Sequence, residues 1–300
     1  MSILAALNPI AFYVFGLPIR FYAIFITSAM IISLIWSSLE AKRRGISTDL
    51  VLELFMWCIP LAIVGARVLY VLAHPSSYFP ILDSTDFKEL FRIDHGGITI
   101  IGALFGAILG AFIVSRYKKL NLLEILDFGL PFMLLGQALG RWGNYVNQEA
   151  FGKVVSSEFF QRFPLGVYID YLGSWHYATF FYEMVLNLIG FTILFIISRK
   201  TNRRGLVTLS YLIWYGIVRG LMEFLREDAT ILFGVYLLQI VAFSIAGIGI
   251  IVAVLMVNDK ISLGHSKHLL SDRVNIKEAD YEVVRKELEK VEEEKSEKNS

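Results

Sequence analysis

The chain has 300 residues, 56% hydrophobic and 18% charged, with a net charge of +1 and a mean hydropathy of +0.59. Soluble domains carry about 25% charged residues, so this composition excludes an ordinary soluble fold, and the near-zero charge gives no sign of nucleic-acid binding. The one cysteine, Cys58, excludes an intramolecular disulfide framework and a multi-cysteine metal site, and its apolar setting (Met56, Trp57, Ile59, Pro60) predicts a buried, inert thiol.

Taken in order, residues 3–17 are apolar but broken by Pro9, Gly16 and Pro18, which predicts an interfacial segment over 1–18 rather than a span. No Lys or Arg precedes Arg20, so the basic n-region of a cleaved signal peptide is not expected. Seven apolar runs follow, at 19–39, 50–73, 98–115, 121–139, 177–198, 206–225 and 231–257. Each approaches or exceeds the roughly 20 residues that cross a bilayer. Basic clusters follow the first, third and fifth runs: Lys42-Arg43-Arg44, Arg116 with Lys118-Lys119, and Arg199-Lys200 with Arg203-Arg204. With seven spans all three fall on one side, and the positive-inside rule makes that side cytoplasmic. The expectation is an all-α integral membrane protein of seven transmembrane helices, N-terminus outside and C-terminus cytoplasmic.

The outward loops in that topology are 74–97 and 141–176, and residues 153–176 have enough apolar side chains (Phe159, Phe160, Phe163, Leu165, Val167, Tyr168, Tyr171) for a small outer subdomain. Residues 258–300 turn Lys/Glu-rich and predict a solvated cytoplasmic tail, with Val284, Leu288 and Val291 at helical spacing. No internal repeat stands out, which weakens an inverted-repeat transporter.

Ionisable groups inside a span cost at least about 2.5 kcal/mol each on insertion scales, so each needs a reason. Arg219, Glu223 and Arg226 are spaced i, i+4, i+7, which predicts one helical face, in the outer half of the sixth span. Glu183 lies just below the outer end of the fifth span, Tyr22 opens the first, and His95 stands at the outer entry of the third. After the fourth span comes a dense polar stretch, Gly140-Arg141-Trp142-Gly143-Asn144-Tyr145-Val146-Asn147-Gln148-Glu149-Ala150-Phe151-Gly152. Tyr22, His95, Arg141, Asn144, Asn147, Glu149, Glu183, Arg219, Glu223 and Arg226 are therefore expected to converge at the outer headgroup level. Three arginines there call for an anion, and a guanidinium grips phosphate bidentately, which points to a phospholipid. Glu53 and Asp127 sit near cytoplasmic ends and are expected to be hydrated; Arg67 is expected to hold a structural ion pair or a carbonyl.

The stretch 140–152 resembles the signature of the bacterial prolipoprotein diacylglyceryl transferases, G-R-x-G-N-F-x-N-x-E-x-x-G, with Tyr145 in place of the usual Phe. Asn8-Pro9-Ile10-Ala11-Phe12 followed by Ile19-Arg20-Phe21-Tyr22 is similar to the family's N-terminal I-R-W-Y segment. Phe180-Phe181-Tyr182-Glu183 resembles its L-Y-E element, and Tyr215-Gly216 with Arg219 to Glu227 its Y-G-x-x-R-x-x-x-E-F-x-R. The similarity runs from residue 8 to about 255. Two departures stand out. Ile101 occupies the place of the family's G-G-x-x-x-H-G-G histidine, a proposed base, and Tyr177-Ala178 replaces its H-P, with His176 adjacent.

The resemblance implies transfer of a diacylglyceryl group from phosphatidylglycerol to the lipobox cysteine of preprolipoproteins, in the bacterial cell membrane, with the active site toward the outer leaflet and no cofactor or metal. On that reading Arg141 and Arg219 bind the phosphate with Asn144 and Asn147 as neutral donors, and Tyr22 orients the headgroup. Glu149 and Glu183 hold arginines. His95 and Glu223 are the two candidates for the base, and Arg226 is a candidate to stabilise the thiolate. A membrane transporter and a non-catalytic phospholipid-binding paralogue are the alternatives; neither would form a covalent product.

Overall fold

The computed structural model describes residues 10–74, 97, 99–226, 231–232 and 235–264. Among them are seven helices: α1 (Phe21–Arg43), α2 (Thr48–Ala73), α3 (Ile100–Tyr117), α4 (Leu122–Val146), α5 (Thr179–Lys200), α6 (Leu206–Glu223) and α7 (Leu237–Val257). Three antiparallel two-stranded hairpins accompany them, one before α1 and two between helices: β1 (Ile10–Val14) with β2 (Leu17–Arg20), β3 (Gly166–Ile169) with β4 (Ser174–Tyr177), and β5 (Ile231–Leu232) with β6 (Val235–Tyr236). The protein is mostly helical, with local β pairing where connecting backbone must satisfy its own hydrogen bonds. Five helices are long and apolar enough to cross a membrane: α1, α2, α4, α5 and Leu238–Val257 of α7. The apolar helix α3 is shorter, and α6 carries Arg219 and Glu223 among its last residues. His95, the greater part of the 74–97 loop and the tail beyond 264 lie outside the described residues.

Two compact units emerge from the packing, one from the described parts of residues 1–37 and 126–265, the other from those of 38–125. In the second unit α2 and α3 meet backbone to backbone. Gly102, Gly106 and Gly110 recur every four residues along α3; a Cβ on Gly106 would collide with the Leu61 carbonyl, and one on Gly110 would lie 2.8 Å from Cys58 Cα. Lipid tails supply no hydrophobic drive between helices, so close van der Waals contact through small residues holds such a pair. Arg67 is buried and donates from Nη1 to the Gly97 carbonyl at 3.0 Å, the carbonyl partner expected of it. Lys118 Nζ meets Glu53 Oε1 at 2.6 Å with both groups part-exposed.

In the first unit, Gly216 and Gly220 of α6 face Ala242, Phe243 and Ala246 of α7; a Cβ on Gly216 would sit 2.5 Å from the Ala242 carbonyl. Rings of Trp36, Phe132, Phe191 and Phe195 pack α1, α4 and α5 together. Asp127 corrects its sequence reading. It is buried, not hydrated, and its carboxylate accepts from Gly205 N (2.5 Å), Thr208 N (2.8 Å) and Thr208 Oγ1 (2.7 Å). A side chain of α4 thus caps α6, satisfying amides at the positive end of its dipole.

The connection between α4 and α5 has a core of Val167, Ile169, Ala178 and Phe180, with Tyr145, Phe151 and Phe181 packed against it. Of the residues expected to build this core, Val167 is buried, while Phe159, Phe163, Tyr168 and Tyr171 are exposed.

Candidate active site

The polar stretch begins inside a helix. α4 continues to Val146, past the expected end at 139, so Arg141 and Asn144 stand one turn apart on a helix rather than in a loop. Gly143 makes room there: a Cβ on it would come within 2.6 Å of the Tyr22 ring, which lies flush against the helix. The helix ends in a Schellman-type turn, with Glu149 N donating to Asn144 O (3.0 Å) and Gln148 N to Tyr145 O (3.1 Å). The left-handed residue of that turn is Gln148, at φ +48°, where glycine is usual. Ala150 is left-handed too, at φ +53°.

Each such residue costs roughly 1–2 kcal/mol without glycine's freedom, so the surroundings must hold the turn. They do so by hydrogen bonds. The Gln148 carboxamide accepts from Asp170 N at 2.9 Å and donates to the Asp170 carboxylate, while Thr179 Oγ1 donates to the Ala150 carbonyl at 2.6 Å. The turn is clamped to the β3–β4 hairpin on one side and to the start of α5 on the other.

From this frame the side chains form a chain of polar contacts. Asn147 Nδ2 (3.4 Å) and Asn144 Nδ2 (2.8 Å) both donate to Glu149 Oε1, and Arg141 Nη1 donates to Asn144 Oδ1 at 3.4 Å. Arg141 Nη2 pairs with Glu183 Oε2, and the other Glu183 oxygen stands 3.9 Å from Arg226 Nη1. Glu183 is 6% exposed by side chain, Arg226 14% and Arg141 24%, so the carboxylate is buried between two guanidiniums that reach further out. On α6, Arg219 Nη2 lies 3.0 Å from Glu223 Oε2, and neither oxygen of this buried carboxylate accepts a hydrogen bond from the described residues.

The expectation that Arg219, Glu223 and Arg226 share one helical face is corrected. α6 stops at Glu223, and residues beyond it are captured by a strand-like segment after the signature. Gly152 bridges Arg226, Lys153 N donates to Leu225 O at 2.7 Å, and a Cβ on Gly152 would lie 2.7 Å from that same carbonyl. Arg226 is therefore aimed by the β pairing and not by helical periodicity. Tyr22, Arg141, Asn144, Asn147, Glu149, Glu183, Arg219, Glu223 and Arg226 all belong to the first unit.

A profile of the family described as prolipoprotein diacylglyceryl transferase matches residues 9–257. The phosphatidylglycerol–prolipoprotein diacylglyceryl transferase of Lysinibacillus sphaericus is 39% identical over 238 residues, 77% of this chain and 85% of the relative. The protein of that name from Listeria monocytogenes (strain EGD-e) is 37% identical over 229 residues, covering 74% and 80%. A Clostridium perfringens relative, named as number 1 of its kind, is 34% identical over 258 residues, 84% and 95%. The chain belongs to the prolipoprotein diacylglyceryl transferase family.

Within this transferase, Ile101 is 54% exposed on α3 and is an aliphatic side chain without acid–base chemistry. His176 is 1% exposed, its two ring nitrogens 2.8 Å from Gly152 O and from Ser174 Oγ, so it stands within the fold and not as an open base. The sequence reading passed over Gln148, Asp170 and Thr179, which hold the turn. Gln148 lay inside the motif as a spacer position. Asp170 and Thr179 are more than 20 residues downstream, and no periodicity connects them to it.

Proposed function

We propose that this transferase moves the diacylglyceryl group of phosphatidylglycerol onto the lipobox cysteine thiol of preprolipoproteins. The sulfur forms a bond to the terminal glycerol carbon of the diacylglyceryl moiety. The bond from that carbon to the phosphate oxygen breaks, its electron pair leaves with glycerol phosphate, and the thiol proton passes to a base. Charge grows on the departing phosphate, so preorganised cationic donors are the main catalytic requirement. The observation that carries this reading is Arg141, inside the family signature, braced by Glu183 and Asn144 yet with a quarter of its side chain still exposed.

Arg141 and Arg219 hold the phosphate, and Asn144 and Asn147 are neutral donors beside it. Tyr22, packed on Gly143, orients the headgroup. Glu183 aims Arg141 and Arg226; Glu149 aims the two carboxamides. Arg226 supplies a positive field for the thiolate. Of the two base candidates, Glu223 is a buried carboxylate whose lone pairs take no hydrogen bond from the described residues, which fits a proton acceptor, and His95 is the other.

We place the protein in the bacterial cell membrane as a seven-span domain over 19–257, N-terminus outside, with an interfacial segment over 1–18 and a cytoplasmic tail over 258–300. Basic residues in the last turns of α1 (Lys42, Arg43), α3 (Arg116) and α5 (Arg199, Lys200) support that orientation. In it the end of α4, the start of α5, the end of α6 and the start of α1 all lie at the outer leaflet. The test is mass spectrometry of a lipobox peptide incubated with the protein and phosphatidylglycerol vesicles. A diacylglyceryl mass gain on the cysteine, absent with a Cys→Ser peptide and with Arg141→Ala, is the expected result. No gain with folded, lipid-binding wild type would sink the reading.

A further inference from the structure

His176 is a buried titratable group that this mechanism does not use. It sits on β4, opposite Val167 in the hairpin register and bridged to Val154 on its other side. Its Nδ1 lies 2.8 Å from the Gly152 carbonyl and its Nε2 2.8 Å from Ser174 Oγ, with the ring edge against Phe151. A carbonyl only accepts, so Nδ1 carries the hydrogen; in the neutral ring Nε2 then accepts from the Ser174 hydroxyl. The Gly152 carbonyl thus fixes the tautomer, and the Ser174 hydroxyl adapts to the nitrogen that is left.

Gly152 is the point where the signature stretch meets the end of α6. Its N–H donates to Tyr177 O at 2.9 Å, and its backbone bridges Arg226. Lys153 continues the contact through Leu225 O at 2.7 Å and accepts from Tyr177 N at 3.1 Å. Residues 152–155 therefore run as an extra strand between β4 and the residues after α6. The backbone of Arg226 pairs with this strand at Gly152, and Arg226 in turn faces the Glu183 carboxylate shared with Arg141.

We infer that His176 is a positioning residue for the anion site, acting through Gly152 on Arg226. The inference rests on the transferase reading for its assay. The backbone ladder sets the spacing between the strand and β4; the hydrogen bond from Nδ1 adds to it by fixing the Gly152 carbonyl at the end of that ladder, beside the bridge to Arg226, and so where the Arg226 guanidinium meets Glu183. His176 touches neither lipid nor thiol.

Two amides of different reach test this. The Asn side chain puts its NH2 where Nδ1 lies, and Gln puts its NH2 where Nε2 lies, so His176→Asn keeps the bond to Gly152 and His176→Gln loses it. Both are polar and of similar size, and each is assayed in full-length protein with phosphatidylglycerol vesicles and a lipobox peptide. His176→Gln is expected to lower kcat/KM for the peptide about tenfold relative to His176→Asn, the cost of one buried hydrogen bond, with KM for phosphatidylglycerol unchanged. In an Arg226→Ala background the two variants are expected to become equal, because the relay then has nothing to position. Equal activities in the wild-type background, a Gln–Asn difference that survives Arg226→Ala, or failure of both variants to accumulate in membranes would each overturn the inference. Absence of transfer by the wild type would instead strike the function itself.

Discussion

Replacing Glu183 by Gln tests the centre of the site. Glu183 is 6% exposed by side chain, pairs with Arg141, and has its second oxygen 3.9 Å from Arg226, itself 14% exposed. At an effective dielectric of about 20, one such contact at this separation is worth roughly 4 kcal/mol of Coulomb energy before desolvation. Removing one partner of a buried ion pair costs about 3–5 kcal/mol, because the remaining charge stays buried without compensation. Gln keeps the shape and one acceptor oxygen, so the lower end, about 3 kcal/mol, is expected, or roughly 6–12 °C in the unfolding midpoint of purified protein in micelles. The variant leaves two guanidiniums with no carboxylate between them, so an anion should restore part of the loss. Phosphatidylglycerol in the micelle should therefore raise its midpoint more than it raises that of the wild type, while phosphatidylcholine should not. A variant as stable as wild type, or one indifferent to the anionic lipid, would refute the claim that Glu183 braces two arginines at an anion site.

Three further outcomes are expected. Arg141→Lys keeps the charge but loses the fork that engages Asn144 and Glu183 together, and should lower kcat/KM for phosphatidylglycerol about 100-fold in the peptide-lipidation assay. Gly152→Ala puts a methyl group 2.7 Å from the Leu225 carbonyl and 2.8 Å from Tyr177 Cβ, and should destabilise the fold by about 1–3 kcal/mol by thermal unfolding, with transfer lost beyond that cost. Asp127→Ala removes the acceptor of three hydrogen bonds at the start of α6 and should lower stability by about 2 kcal/mol, yet leave KM for the lipid unchanged in the protein that remains folded.

The sequence by itself determined that the chain is a largely helical membrane protein and singled out 140–152 as the candidate stretch for its chemistry. Apolar length is a property of consecutive residues, so spans can be read from it. The spacing of Arg141, Asn144, Asn147, Glu149 and Gly152 is likewise local, and so is the pairing of Arg219 with Glu223, four residues apart on one helix. What tertiary structure decided are the partnerships across distance. Arg141 finds Glu183 more than 40 residues on, Asp127 finds the amides of Gly205 and Thr208 about 80 residues on, and Gly152 draws Arg226 off the helical face that periodicity predicts. Even the end of α4 belongs to this class. The run of apolar residues stops at Leu139, but the helix continues to Val146 because Tyr22 packs on Gly143 and Asp170 holds Gln148 in its left-handed turn. Hydrophobic periodicity records only which residues avoid water. Which buried polar group satisfies which other is settled when the chain brings them together, since each must find a partner once water is excluded.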